Sequence, residues 1–253
     1  MNRGEILARF DAEMRRNPPA ATGEVVEVAE DLVIARSPGA CVLYSRGDPV
    51  AARRILEREL ARAKRDRQEF EWKLYRHDPG PDLRPLLANA GLRPEPAETL
   101  VVLPLARPPP PLEPPAGIEV RRISTPTELE EVVRLSEVTF GPGEGWSADG
   151  LRERLASEDL AIFVARTDNG RCVAAGRLEM PAGRSFASLW GGATDPAHRG
   201  RGIYRALVAA RADLARRRGF RYLTVDARET SRPILARLGF EPLTAIEGWT
   251  VRP

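Results

Sequence analysis

Residues 192–207 read GATDPAHRGRGIYRAL, and the fold turns on them. Upstream, Ser185–Thr194 (SFASLWGGAT) is a short run of apolar and small residues that suits a β-strand. Downstream, Ile203, Ala206, Leu207, Ala210 and Leu214 recur at helical spacing, with the arginines expected to face away. The stretch predicts a strand that enters a glycine-rich basic turn, which opens directly into a helix. Such a turn aims several backbone N–H groups at one spot. The positive end of the helix dipole adds to them, so the spot attracts phosphate. Gly200 and Gly202 let the main chain approach a bulky diphosphate with no Cβ in the way. His198, Arg199 and Arg201 supply side-chain donors nearby. The ligand implied is the pyrophosphate of a nucleotide-like cofactor.

Working outward, Gly219 closes the helix, a strand follows at Tyr222–Ala227, and a short helix begins near Pro233, before Leu238-Gly239-Phe240. On the other side, Ile118–Ile123 reads as a strand. Thr125 or Thr127 caps a helix running through Phe140, with Glu130 placed for a capping box with Thr127. A glycine-rich loop (141–147, GPGEGWS) leads to a helix at Ser147–Ser157. Strands Ala161–Arg166 and Cys172–Met180 form a hairpin about Asp168-Asn169-Gly170, a strong turn sequence.

In this order the segment resembles the GNAT superfamily of acyl-CoA-dependent N-acyltransferases. That family's cofactor signature is Arg or Gln, two variable residues, Gly, one variable residue, then Gly or Ala. Arg199 fills the first position and Gly202 the fourth, while Tyr204 stands at the sixth in place of the usual small residue. Leu238-Gly239-Phe240 and the helix before it match a later motif, and the resemblance covers roughly residues 117–253. It implies an α/β (α+β) fold with a mixed central sheet, in which two parallel strands splay apart and acyl-CoA lies between them. By resemblance, Gly192, Ala193 and Thr194 hold the pantetheine arm, and one backbone N–H there polarises the thioester carbonyl. His198, Arg199, Gly200, Arg201, Gly202, Ile203 and Tyr204 surround the diphosphate, with acetyl-CoA as co-substrate.

The resemblance also shows what this chain lacks. Many members carry a Tyr aimed at the CoA sulfur and an Asn seven residues earlier; those positions hold Leu235 and Arg228. Ser231 either contacts CoA or caps a helix. Glu144 and Trp146 lie in a loop that often lines the acceptor site, though Trp146 equally suits a core edge. Glu179 and Asp226 are the candidate general bases, and each also suits a salt bridge in a chain this rich in arginine. The implied activity is acetyl transfer from acetyl-CoA to a primary amine of a small molecule or peptide. The alternative is a non-catalytic acyl-CoA-binding or sensor protein.

Composition narrows the classes. The 253 residues are 42% hydrophobic, enough to bury a core. The net charge is only +3, so acidic residues nearly balance an excess of arginine and leave no general footprint for nucleic acid. Cys41 and Cys172 stand alone, which argues against a disulfide framework and against a metal site. The N-terminal residues lack a signal peptide's apolar core, and no run is long enough to span a bilayer. A cytoplasmic protein without membrane partners is expected.

A proline-rich stretch, PPPPLEPP at 108–115, suggests a linker over residues 107–116 between a first half (1–106) and a second (117–253). The halves look related: residues 84–92 read RPLLANAGL and residues 232–240 read RPILARLGF. In the first half we read a helix at Ile6–Arg15, strands at Val25–Ala35 and Cys41–Ser45, a helix at Pro49–Lys64, a strand at Glu69–Tyr75, a helix at Asp82–Ala90 and a strand at Thr99–Leu105. This resembles the later part of a GNAT domain. Its counterpart loop, SRGDP at 45–49, lacks the signature, and Asp48 is placed to cap the following helix itself. The first half therefore reads as a degenerate GNAT-like half-domain without a cofactor loop. GNAT proteins often dimerise, so the resemblance leaves two options open, a homodimer or a first half that takes a partner's place.

Overall fold

The computed structural model describes residues 2–20, 23–29, 31–37, 39–46, 48–106, 112–141 and 146–252. In chain order these give α1 (Arg3–Phe10), continued by a π-helical turn (Asp11–Arg15), then β1 (Val25–Ala29), β2 (Leu32–Ser37), β3 (Gly39–Ser45), α2 (Pro49–Asp66), β4 (Phe70–Tyr75), α3 (Arg84–Asn89), β5 (Arg93–Pro94) and β6 (Glu98–Pro104). There follow β7 (Ile118–Arg122), α4 (Pro126–Phe140), α5 (Ala148–Arg154), β8 (Leu160–Thr167), β9 (Cys172–Glu179), β10 (Phe186–Thr194), α6 (Ile203–Arg217), β11 (Tyr222–Arg228), α7 (Arg232–Arg237) and β12 (Glu241–Val251). The class is α/β with mixed strand pairing, as the sequence implies.

The chain folds into two compact units. One comprises Met1–Val101, Asp226–Arg232 and Pro242–Pro253; the other comprises Val102–Val225 and Pro233–Glu241. Compactness thus groups two short C-terminal segments with the N-terminal residues, whereas a division at the proline run assigns them all to 117–253. Of the linker, residues 107–111 lie outside the described residues.

In the first unit β1, β2 and β3 are antiparallel neighbours, β3 and β4 are parallel, and β4 pairs antiparallel with β12 from Phe70↔Val251 to Tyr75↔Ile246. Two strands stand where the sequence reading gives one over Val25–Ala35. The acidic pair Glu30-Asp31 interrupts that apolar run, and the strands on either side fold back on each other. Ala52, Leu56 and Ala63 of α2 pack with Ile34, Val42, Phe70 and Trp72, a core that α3 completes with Leu87.

In the second unit β7, β8, β9 and β10 are successive antiparallel neighbours, and β10 is parallel to β11. One core joins Leu129, Val132 and Leu135 of α4 to Ile162, Val164, Ala175 and Ala193 of the sheet. The helix α4 begins at Thr125, not Thr127. Its box joins Thr125 to Glu128, because Pro126 suits the first helical position and so fixes the residue before it as the cap. The hairpin turn forms at Gly170, φ +81°, whose N–H reaches the Thr167 carbonyl at 2.7 Å.

Candidate functional site

The pairing of β10 with β11 is short: Phe186↔Tyr222, Ala187↔Leu223 and Ser188↔Thr224. On its other side β10 stays paired with β9 to Thr194↔Ala174, with a bulge between Trp190 and Ala193 where Gly191 takes φ +58°. A bulge bends its strand and increases its local twist. Beyond Ser188 the edge of β10 that faced β11 carries no β11 partner, so this pair of parallel strands separates as the resemblance implies.

From Thr194 the chain turns at Asp195, whose carboxylate accepts from the Ala197 N–H at 2.9 Å and from Arg171 at 2.6 Å. Gly200 (φ +75°) and Gly202 (φ +86°) then reverse the backbone in the left-handed region that glycine tolerates best. Gly202 is the N-cap of α6, and among the described residues no side chain caps that helix. The first-turn N–H groups are left available to an external acceptor. Arg199 does not reach across them; its Nε donates to the Thr194 carbonyl at 3.2 Å. His198 sits with Nδ1 3.7 Å from Asp195 and without a hydrogen bond at that atom among the described residues. Arg201 is exposed, Ile203 is core, and Ala193 is fully buried. The ring of Tyr204 lies over Gly192: a Cβ there would come within 2.9 Å of its Cε2.

The arginines of α6 do not all face away. Arg211 is 1% exposed, its Nε donates to Leu207 at 3.0 Å, and its Nη1 donates to the Arg177 carbonyl at 3.1 Å. Its guanidinium occupies the space where a Gly176 side chain would begin, and burial pushes its pKa down to about 10. Helical periodicity assigns an arginine outward by default; two backbone carbonyls make an inward one tolerable. Ala210 and Leu214, expected on the inner stripe, are only half-buried.

The two candidate bases are both ion-paired. Glu179 lies 2.5 Å from Arg154 and 3.4 Å from Arg177. Asp226 lies 3.1 Å from Lys73, within the first unit. Ser231 donates its hydroxyl to the Arg228 carbonyl at 3.1 Å, and Leu235 is fully buried. Trp146 is 8% exposed and packs in the α4 core. Glu144 lies outside the described residues. The sequence reading missed Arg177 and Arg154. An arginine inside the apolar strand AAGRL (174–178) was the available signal.

The first unit repeats the parallel pair and fills its opening from within. The pairing of β3 with β4 stops at Val42↔Trp72. At the next residue, the Leu43 carbonyl accepts from Arg15 Nε at 3.1 Å. The Arg15 guanidinium lies 3.6 Å from the Tyr75 ring centroid and bonds Asp11 and Asp78, each at 2.8 Å. At the start of α2 the Asp48 carboxylate accepts from the Val50 and Ala51 N–H groups at 3.0 and 3.3 Å. An internal cation holds the strand edge and an internal anion holds the helix N-terminus, the two places left open in the second unit.

Comparison with known proteins agrees with this geometry. Residues 129–240 match the model of the Acetyltransferase (GNAT) family. Among solved structures, a GCN5-related N-acetyltransferase from Kribbella flavida superposes with a TM-score of 0.70 at 18% identity, covering 92% of this chain and 91% of that one. One from Sphaerobacter thermophilus gives 0.64 at 17% identity, with coverage of 99% and 86%. A tandem GNAT protein from the clavulanic acid biosynthesis pathway gives 0.59 at 22% identity, with coverage of 98% and 93%. No curated protein sequence matches the chain. The likeness to these structures runs along nearly the whole chain, and the match to the GNAT acetyltransferase family model lies within it, over residues 129–240.

Proposed function

We propose that this protein transfers an acetyl group from acetyl-CoA directly to a primary amine of its acceptor. The observation that carries the reading is the uncapped N-terminus of α6, reached through two left-handed glycines from a bulged strand whose edge lies open. The amides from Gly202 to Tyr204, with Arg199, Arg201 and His198 beside them, bind the diphosphate. The backbone of Gly192, Ala193 and Thr194 holds the pantetheine arm, and an N–H near the bulge donates to the thioester oxygen as negative charge develops there. Acetyl-CoA supplies the activated acyl carbon. The neutral amine nitrogen attacks that carbon, the C–S bond breaks, and CoA leaves as thiolate while the amine nitrogen gives up a proton. Glu179 or Asp226 takes that proton, directly or through water. Leu235 offers no proton to the departing sulfur, so the thiolate leaves unassisted by that residue.

On this reading residues 1–106 are a degenerate GNAT-like half joined by 107–116 to the catalytic domain, and each chain holds one CoA. The test is release of free CoA thiol from acetyl-CoA in the presence of amines. A second reading, binding without turnover, draws on the ion-paired state of both carboxylates and on Leu235. Tight CoA binding with no thiol release across a broad amine panel favours it.

A further inference from the structure

Beside the bulge of β10, in the second unit, two buried N–H donors have no acceptor. Trp146 Nε1 and Arg177 Nε are each out of contact with water and without a hydrogen-bond partner among the described residues. Leaving such a donor unmade destabilises a fold, and native structures tolerate few without a purpose. The two donors share one place. Arg177 is in register with Trp190 across β9 and β10, so both side chains stand on the same face of the sheet. The Arg177 guanidinium carbon lies 5.6 Å from the Trp146 ring centroid and 5.8 Å from that of Trp190. Trp146 Nε1 lies at Gly191 itself: a Cβ there would come within 2.1 Å of it, so only glycine admits the indole.

Arg177 is also short of negative charge. Among the described residues its one acidic neighbour within 4 Å is Glu179, at 3.4 Å through Nε in a geometry that makes no hydrogen bond. Glu179 is already bonded by Arg154 through both oxygens, at 2.5 and 3.5 Å, and Asp159 is turned to Arg154 as well, at 3.1 Å. Burial lowers the Arg177 pKa, Glu179 raises it, and Arg154 lowers it further, with the net shift downward. A half-buried guanidinium, an orphan indole N–H and the partly open ring of Trp190, 39% exposed, therefore meet at the point where the strand edge opens.

We propose that the acceptor is an amino carboxylate, whose carboxylate is held by the Arg177 guanidinium and the Trp146 indole N–H while its amine faces the opened edge of β10. This rests on reading that edge as the acyl-transfer site, and it names the substrate class for it. The planar guanidinium fork matches a carboxylate in paired hydrogen bonds, and the indole N–H adds a third donor. Trp190 provides the ring against which the acceptor's side chain lies.

The test uses the full chain saturated with CoA. The probes are the twenty L-amino acids, their carboxamides and phosphoethanolamine. Binding is read from the intrinsic tryptophan fluorescence, and turnover with acetyl-CoA from thiol release. We expect at least one amino acid to bind, and to react with kcat/KM at least tenfold above that of its carboxamide. Arg177→Gln removes that preference while the CoA Kd stays within twofold of the parent. Trp146→Phe keeps an aromatic ring, deletes the N–H and lowers the preference several-fold, and so serves if Arg177→Gln does not fold. Equal treatment of acids and carboxamides, a preference for phosphoethanolamine, or CoA binding without binding of any amino acid overturns the proposal. Failure to bind CoA at all overturns the reading beneath it instead.

Discussion

Replacing Gly202 by alanine is expected to weaken CoA binding without dismantling the loop. Gly202 caps α6 at φ +86° and ψ −3°. An L-residue held there brings its Cβ against its own backbone, at a cost of about 1–2 kcal/mol. Little else resists the substitution, since the closest atom to an added Cβ is the flexible tip of Arg205 at 3.2 Å. Held in that turn, the free protein would lose about 1–2 kcal/mol of stability, roughly 2–8 °C in Tm for a chain of this size. Rotating the turn toward negative φ relieves the strain and swings the first amides of α6 away from the diphosphate. A ligand that needs those amides must restore the strained turn, so its affinity falls by the same free energy, roughly five- to thirtyfold. Gly183 provides the control: it has φ +71°, nothing within 4 Å of an added Cβ, and a place at the far end of β10. Thermal melts and calorimetric titration with CoA read the two effects separately. Gly183→Ala should lose Tm and keep its CoA affinity, whereas Gly202→Ala should lose less Tm and lose CoA affinity. A Gly202→Ala protein that melts like Gly183→Ala yet binds CoA like the parent refutes the reasoning.

Other outcomes follow from the ion pairs. Arg15→Ala takes the guanidinium from Asp11, which keeps His77, and from Asp78, which keeps the Tyr75 N–H, and frees the Leu43 carbonyl, so urea unfolding should show a loss of about 3–5 kcal/mol. The folded variant should still bind one CoA per chain, because Asp48 continues to occupy the start of α2. Glu179→Gln leaves the Arg154 guanidinium with Asp159 alone and should lower stability by about 1–3 kcal/mol in the same assay. Burial raises the pKa of Glu128, but the Ser124 amide, Arg121 and Thr125 outweigh it and hold it at about 2, against an ordinary 4.5. A folded pKa below the unfolded one gives stability that is full above pH 4.5 and lost as pH falls toward 2. An acid titration of stability should therefore be shallower in Glu128→Gln over that window.

What could be read from sequence was local. The strand at 186–194, the glycine turn and the helix from Ile203 announce themselves because a left-handed backbone needs glycine and a buried helix face needs a 3.6-residue period. Asp48 was legible for the same reason, since a cap acts on amides two and three residues away. Contacts between distant residues were not legible. Arg15 reaches Leu43, 28 positions on, and nothing near Arg15 in the chain announces that partner. Arg211 was misplaced because its inward position depends on the Arg177 carbonyl, which belongs to another element. The choice of Thr125 over Thr127 was local too, and Pro126 was the clue left unused. Trp146 suited two roles in sequence, and the structure shows a ring that serves the core while its N–H, at Gly191, has no partner among the described residues.

The central claim is that the open amides at the start of α6 hold the diphosphate of one CoA. Calorimetric titration of the full chain with CoA, and separately with pantetheine, which has the arm but no diphosphate, tests it most directly. The account predicts saturable binding of CoA at one site per chain, with pantetheine bound at least a hundredfold more weakly. No heat with CoA, two equivalent sites, or pantetheine bound as tightly as CoA contradicts it.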